Sequence, residues 1–295
     1  MLLQNKFNKI IIGTANMGSL GYGYRNKRVL NPKNLINYIL KKKFFLFDTA
    51  YSYNSEKNFF NLNKKIKIYS KTIQINKSLK KLGKEKLKKK IFQSINKSII
   101  NTPKKKIFCM YIHRIEDFFY DKKIILNLLK KNKKINHIGI SLDHYRNLKK
   151  ILSNPEIKYI QLPINIFDQR WKKILKYERL IQDKRIVARS IFLQGLIFKK
   201  KNLWPKTIRK FYPEIKNILE KIKSHFPKRS IDEICYTYVN SINKFDKIII
   251  GVSKKKDIEK IIQYQSKKKF SKNEINLIEK ETKDIPKDFY IPSSW

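Results

Sequence analysis

Short apolar runs alternate with longer amphipathic, lysine-rich stretches along the whole 295-residue chain. The runs at 10–12, 44–47, 66–69, 107–112, 137–140, 158–162, 186–187 and 247–250 have the length of strands. The stretches between them include 32–40, 120–131, 144–152, 171–182 and 215–223, long enough for helices. Strands linked through helices pair in parallel by right-handed crossovers. Eight such units predict an α/β fold, a closed (β/α)8 TIM barrel, better than an open sheet. No Pro/Gly/Ser-rich linker divides the chain, so 1–295 reads as one domain. Its strand core covers about 10–262, with a C-terminal helix and tail over 263–295. Two loops break the rhythm: 13–31, with Gly18, Gly21, Tyr22, Gly23 and Tyr24, and 190–205. In a barrel both lie at the C-terminal face, where loops build sites.

The formal net charge of +46 would by itself suggest nucleic acid or an anionic membrane. The basic residues are 59 Lys and only 10 Arg, however, beside 48 Ile and 3 Ala. That bias follows A/T-rich codons. The lysine runs at 41–43, 88–90, 104–106, 199–201, 254–256 and 267–269 are spread over the whole chain. A binding face would be concentrated and richer in Arg. The charge therefore reads as solvated surface, with no specific nucleic-acid partner expected. No apolar run approaches the roughly 18 residues of a membrane span, and the start MLLQNKFNKIII lacks the pattern of a signal peptide. Cys109 and Cys235 lie far apart in apolar surroundings, which suggests neither a disulfide nor a metal site. A reducing, cytoplasmic location is expected. A hydrophobic fraction of 41% is ample for a large core.

Four polar residues stand where strands two, three and four stop: Asp48, Tyr53 five residues on, Lys71 and His113. Neighbouring staves of a barrel would bring these side chains together. An ammonium beside a phenol favours the phenolate, and a carboxylate beside the ammonium keeps it charged and in place. A phenol tuned in this way is a general acid for a carbonyl oxygen. A neutral imidazole donates a hydrogen bond to the same oxygen and orients it. No nucleophile with its own base is present, and 4 His leave little for a metal cluster. The group suits protonation of a carbonyl that receives hydride from elsewhere. His137, His144 and His225 read as structural or surface residues, and Cys109 as a packed core thiol.

The string Phe47-Asp48-Thr49-Ala50-Tyr51-Ser52-Tyr53-Asn54-Ser55-Glu56 resembles the signature of the aldo-keto reductase family. Asp48 and Tyr53 fall on the family's Asp and proton-donating Tyr, Lys71 on its Lys, and His113 on its His. Ser141 after Gly139-Ile140, Gln161 with Asn165, Arg189 with Ser190, Leu193 and Gln194, and Gly251 through Ser253 continue the likeness in order. The resemblance implies a barrel that binds NADPH, less often NADH, across its mouth. It implies that Ser141 and Gln161 hold the carboxamide and that Arg189 stacks on the nicotinamide. Ser190, Leu193 and Gln194 would line the pyrophosphate. Gly251, Ser253 and Lys254 would meet the adenosine end, with Gly13 and Thr14 at the mouth. Gly13 through Gly18 with Tyr22-Gly23, and the segments 165–170 and 188–196, are similar to a bacterial branch that accompanies surface-polysaccharide or nucleotide-sugar enzymes. That branch implies a sugar-like carbonyl substrate.

Some positions depart from the family. The Tyr53 motif is one residue short, and Asn54 stands where Gly is common. Leu142 replaces an Asn, Asp257 an Arg that binds phosphate, and Ile261 an Asn that meets adenine. Asp257 would repel a 2′-phosphate, while Lys254, Lys255, Lys256 and Lys260 would attract one. The lysines incline the expectation to NADPH, with NADH as the alternative. The expected function is NAD(P)H-dependent reduction of a small aldehyde or ketone. A catalytically weak, cofactor-binding regulatory barrel is the second reading, and a basic nucleic-acid-associated protein the third. Trp295 ends a tail that either reaches over the site or is disordered.

Overall fold

Isoleucine-rich runs pair side by side in chain order, and the eighth returns to the first. The computed structural model describes residues 9–18, 28–59, 62 and 65–295, the side chain of Ser293 excepted. Within them β1 (Ile10–Gly13), β2 (Leu46–Asp48), β3 (Lys67–Lys71), β4 (Ile107–Ile112), β5 (Ile135–Ser141), β6 (Ile157–Pro163), β7 (Arg185–Arg189) and β8 (Lys247–Gly251) form one closed parallel barrel. Helices cover its outside, so each strand is buried on both faces. This is why the runs are continuously apolar instead of alternating.

Alternation reappears in what each face packs against. Ile11, Leu46, Tyr69, Cys109, Tyr111, Tyr159, Val187 and Ile249 form one buried cluster inside the barrel. Their strand neighbours, such as Ile10, Ile12, Phe47, Ile68 and Met110, join the larger core beneath the helices. Period two then fixes the next inward position on each strand. Two residues beyond Ile11, Leu46, Tyr69, Tyr159, Val187 and Ile249 stand Gly13, Asp48, Lys71, Gln161, Arg189 and Gly251. On β5 the interior position is Gly139, where a Cβ would come within 2.5 Å of the Tyr111 ring.

Several helices differ from the expected spans. The 120–131 stretch is the helix Lys122–Lys130, and a separate short helix, Ile115–Tyr120, precedes it. Asp121 divides them, and its carboxylate caps the longer one by accepting from Ile124 N at 3.0 Å. In 144–152 only Leu148–Leu152 is helical, and His144 lies in the loop after β5. The 171–182 stretch begins as a 3-10 helix, Arg170–Tyr177, before the α-turn Glu178–Ile181. Gly21, Tyr22, Gly23 and Tyr24 lie outside the described residues.

The long loop after β7 is pinned by Trp204, which is fully buried. Its ring stacks on Phe289 at 5.5 Å and meets Tyr212 edge-on at 5.0 Å. Its Nε1 donates to Lys199 O at 3.2 Å. The same contact anchors the C-terminal segment, where Trp295 Nε1 donates to Phe289 O at 3.0 Å. The tail is thus folded against the core. No helix among the described residues is long and apolar enough to cross a membrane. Both cysteines are free and buried.

Replacing the indole empties a site shared by the loop and the tail. Trp204→Ala should cost about 3–5 kcal/mol in denaturant unfolding. A loss below about 1 kcal/mol would show that the loop is held by something else.

Candidate active site

Asp48 ends β2 and Lys71 ends β3, and the two strands pair in register from Leu46 to Asp48. Both side chains point inward and are almost fully buried, at 5% and 3% exposure. Lys71 Nζ donates to Asp48 Oδ1 at 2.8 Å, Asp48 Oδ2 at 2.7 Å and Thr49 O at 3.0 Å. All three ammonium protons are therefore committed. Gln161 Nε2 donates to Asp48 Oδ1 at 2.8 Å, and Ser141 Oγ donates to Gln161 Oε1 at 3.2 Å. Burial pulls the Lys71 ammonium below its ordinary value, and Asp48 acts in the opposite sense.

Tyr53 closes a 3-10 turn, Tyr51–Tyr53, directly after β2. Lys71 Nζ lies 5.3 Å from the centre of its ring. Asn54 caps the turn at φ 53°, the left-handed conformation that Asn tolerates better than other side-chain-bearing residues. The bend survives although Asn stands where Gly was expected. A hydroxyl chain braces the turn from below: Ser55 Oγ lies 2.9 Å from Thr14 Oγ1 and 2.7 Å from Thr49 Oγ1. Thr14 Oγ1 in turn donates to Asp48 O at 2.9 Å. Gly18 packs against the same turn, and a Cβ there would lie 1.7 Å from Tyr53 O.

His113 meets Tyr53 edge-on, with ring centres 6.5 Å apart. Its Nδ1 lies 3.1 Å from Thr72 O, and its Nε2 lies 3.1 Å from Gln74 Nε2. A carbonyl oxygen can only accept, so Nδ1 carries the proton. Burial and the Lys71 charge hold the imidazole down to about 3, and the ring is neutral at neutral pH. Nε2 is then an acceptor from Gln74. The expected donor role of the imidazole is thereby reversed, and the amide of Gln74 is the donor at that wall. Gln74 is a residue that sequence reasoning missed. Its neighbour Ile75 is clamped by Asp117, which accepts from Ile75 N at 3.0 Å, and by Arg114, which donates to Ile75 O at 3.0 Å. Only the pairing of strand ends could have revealed this.

A cleft of about 510 Å³ opens over these groups. Asp48, Tyr53, Lys71, Gln161 and Arg189 line one end. Gly13, Ser190, Gln194, Gly251 and Ser253 line the cleft as well, Gly13 and Gly251 side by side on β1 and β8. Arg189 Nη2 donates to Leu142 O at 2.7 Å, while its buried Nε has no partner. Other expected contacts are placed elsewhere. Thr14 is fully buried and committed to the brace. Leu193 is buried in the core, Ser141 serves Gln161, and His113 borders Tyr53 instead of lining the cleft. Lys254 lines a separate hollow. Asn165 Oδ1 accepts from Phe167 N and Asp168 N, a structural turn. The tail does not line the cleft.

His144, expected to be a structural or surface residue, lies 2.7 Å through Nε2 from Glu116 Oε1. With Asp143 these two form the one set of three candidate metal ligands among the described residues. Arg146 N donates to Nδ1, so Nε2 carries the proton and donates it to Glu116, and the set reads as a hydrogen bond from a neutral imidazole.

A sequence model described as the Aldo/keto reductase family matches residues 9–282. No curated protein matches the chain. Among solved structures, an aldo-keto reductase of Bacillus halodurans in its holo form is 18% identical, with a TM-score of 0.72 over 92% of this chain and 91% of that one. A glycerol dehydrogenase of Gluconobacter oxydans is 16% identical, with a TM-score of 0.67 over 92% and 90%. An aldo-keto reductase from a Medee basin deep-sea metagenome is 14% identical, with a TM-score of 0.62 over 95% and 94%. At such identities these likenesses show the shared fold.

Two outcomes test this geometry. Gly18→Ala should destabilise the chain by about 1–3 kcal/mol and speed amide exchange at Tyr53 N, which bonds Ala50 O at 2.9 Å. Unchanged exchange there would separate Gly18 from the turn. His113 is neutral in the fold down to about 3 but takes its proton near 6.5 when unfolded. The unfolded chain then binds the extra proton, so this part of the stability is present above 6.5 and is lost as pH falls toward 3. His113→Asn should flatten the fall in stability over that window, as read by denaturant midpoints at stepped pH.

Proposed function

The chain belongs to the aldo/keto reductase family, and from that premise we propose that it reduces a small aldehyde or ketone to an alcohol with NAD(P)H at the Tyr53 end of the cleft. The observation that carries this reading is the Lys71 ammonium. It is held bidentate on Asp48 and lies 5.3 Å from the Tyr53 ring, at one end of an open cleft.

The donor set fits a nicotinamide dinucleotide. Arg189 offers a flat guanidinium with an unpartnered buried Nε at the cleft wall. Gln161 keeps one amide proton and one lone pair beyond its bonds to Asp48 and Ser141. Arg189 and Gln161, the latter steadied by Ser141, would hold the nicotinamide, and Gly13, Ser190, Gln194, Gly251 and Ser253 the remainder of the dinucleotide. Bound there, the reduced nicotinamide supplies the hydride.

The protein's part is the proton and the orientation. Tyr53 gives its hydroxyl proton to the carbonyl oxygen. Lys71, fixed by Asp48, stabilises the phenolate left behind as a stationary charge, because none of its own protons is free to transfer. His113 stands edge-on to Tyr53 and is held through Nε2 by Gln74, so its part is to position the phenol that meets the carbonyl. A cleft with more apolar than polar wall suits a compact organic substrate, and a sugar-like carbonyl is the proposed class. Nucleic acid and membrane are not partners in this proposal, and the cytoplasm is the proposed location.

Tyr53→Phe keeps the ring and removes the acid. Turnover should fall by about 10²–10⁴ while cofactor binding stays within about threefold. Normal turnover in that variant would refute the proton donor. Tight cofactor binding by the wild type with no turnover over a panel of aldehydes, ketones and sugars would favour the regulatory barrel.

A further inference from the structure

The turn that carries Tyr53 continues through Asn54 and Ser55 into a second 3-10 turn, Glu56–Phe59. Phe59 seats this turn in the core, fully buried and edge-on to Phe47 at 5.0 Å. Glu56 goes in with it and is 3% exposed. Its Oε1 accepts from Ser70 Oγ at 2.5 Å. Ser70 precedes Lys71 on β3, and successive side chains of a strand point to opposite faces. Two acids therefore hold consecutive residues of one strand end. Asp48 holds Lys71 from inside the barrel, and Glu56 holds Ser70 from outside.

The helix Lys84–Ile100 closes this outer face and buries Ser98 beside the carboxyl. Lys97 of the same helix lies over the Tyr51 ring at 5.6 Å. Burial pushes the Glu56 carboxyl up, and the Ser70 hydroxyl with the charges of Lys71 and Lys97 draws it part of the way back. A carboxyl is costly to bury, and an apolar side chain of similar size would suit the fold better. What the carboxyl supplies is a fixed acceptor, three residues from Tyr53 and bonded to the neighbour of Lys71.

We infer that Glu56 is a positioning residue: through Ser70 it sets the separation of the Tyr53 hydroxyl from the Lys71 ammonium. The inference rests on the reductase reading above. The hydroxyl brace of Thr14, Thr49 and Ser55 ties the turn to the ends of β1 and β2. Glu56 ties it to the strand that bears the lysine. Without that bond the turn and the strand end can shift against each other, and a displacement of about 1 Å at a reacting group costs up to about 10²-fold in rate.

Three variants separate the bond from the charge. Ser70→Ala removes the donor and keeps the carboxyl, Glu56→Gln keeps an acceptor and removes the charge, and Glu56→Ala removes both. For each, kcat and KM are measured with NADPH and NADH over the carbonyl panel, with cofactor binding followed by fluorescence. Tyr53 is titrated by NMR of 13C-labelled tyrosine, its signal identified by its loss in Tyr53→Phe. Ser70→Ala and Glu56→Ala should each lower kcat about tenfold, with KM and cofactor binding within about threefold. The double variant should be no slower than Glu56→Ala, because both changes remove the same bond. Glu56→Gln should recover most of the loss. In Ser70→Ala the Tyr53 phenol should titrate at higher pH, since the ammonium that favours the phenolate has moved away. A folded Ser70→Ala with wild-type kcat and an unshifted Tyr53 would overturn the inference, and so would Glu56→Gln as slow as Glu56→Ala. If Glu56→Ala does not fold, Ser70→Ala decides alone. If the wild type turns over no carbonyl, the reductase reading fails, and the Tyr53 titration in Ser70→Ala still decides whether this bond sets the phenol against Lys71.

Discussion

An ammonium buried inside a barrel is tolerable only with its counter-ion in contact, and much of the site follows from that requirement. Lys71 and Asp48 leave water together, and the two short bonds between them, with Thr49 O and Gln161 completing the set, offset the cost. Removing one partner would strand the other charge, at a cost of about 3–5 kcal/mol. The pair therefore ties β2, a strand of only three residues, to β3 and β6. It also leaves a cation that is fixed in place beside Tyr53. A flexible surface lysine would spread its charge through solvent, whereas this one cannot move away.

The same geometry explains why the chemistry sits at one rim. The interior cluster fills the barrel up to the Tyr69–Tyr159–Ile249 level. The next inward position on six strands is then the first one facing open space. Sequence there changes from bulky apolar to Gly13, Asp48, Lys71, Gln161, Arg189 and Gly251. The bulky residues below are a floor that keeps water from reaching Lys71 and Asp48 from beneath. Gly139 belongs to that floor, because only a missing Cβ lets the Tyr111 ring lie across it.

Strand positions were legible because burial on both faces writes a continuous apolar run, and the polar residue that ends such a run is conspicuous. Asp48, Lys71 and His113 were found in that way. Helix limits were less legible. Lysine-rich surfaces carry a weak amphipathic signal, and the short helix Ile115–Tyr120 before the Asp121 cap leaves no apolar period long enough to read. Hydrogen-bond direction was not legible at all. His113 looks like a donor by type, but Thr72 O fixes its tautomer and Gln74 takes its other nitrogen. Thr14 looks like a cleft residue by position, yet its hydroxyl faces Ser55 and the Asp48 carbonyl. Such roles depend on contacts between residues far apart in the chain, which no local pattern records.

Asp257 shows the same limit for charge. A net charge of +46 describes the average surface and says little about any one cleft. The lysines are dispersed and hydrated, and beyond a Debye length of about 8 Å they are screened. Within the cleft the decisive quantities are which groups face inward and which protons are already bonded. Beside Tyr53 the inward cations are Lys71, with every proton committed, and Arg189, which donates to Leu142 O. Elsewhere on the cleft wall Asp257 accepts from the Ser253 and Lys254 amides, and Lys260 donates to Asp232. A strongly basic chain thus encloses a cleft whose charged lining, among the described residues, is balanced: Asp48, Asp232 and Asp257 against Lys71, Arg189 and Lys260.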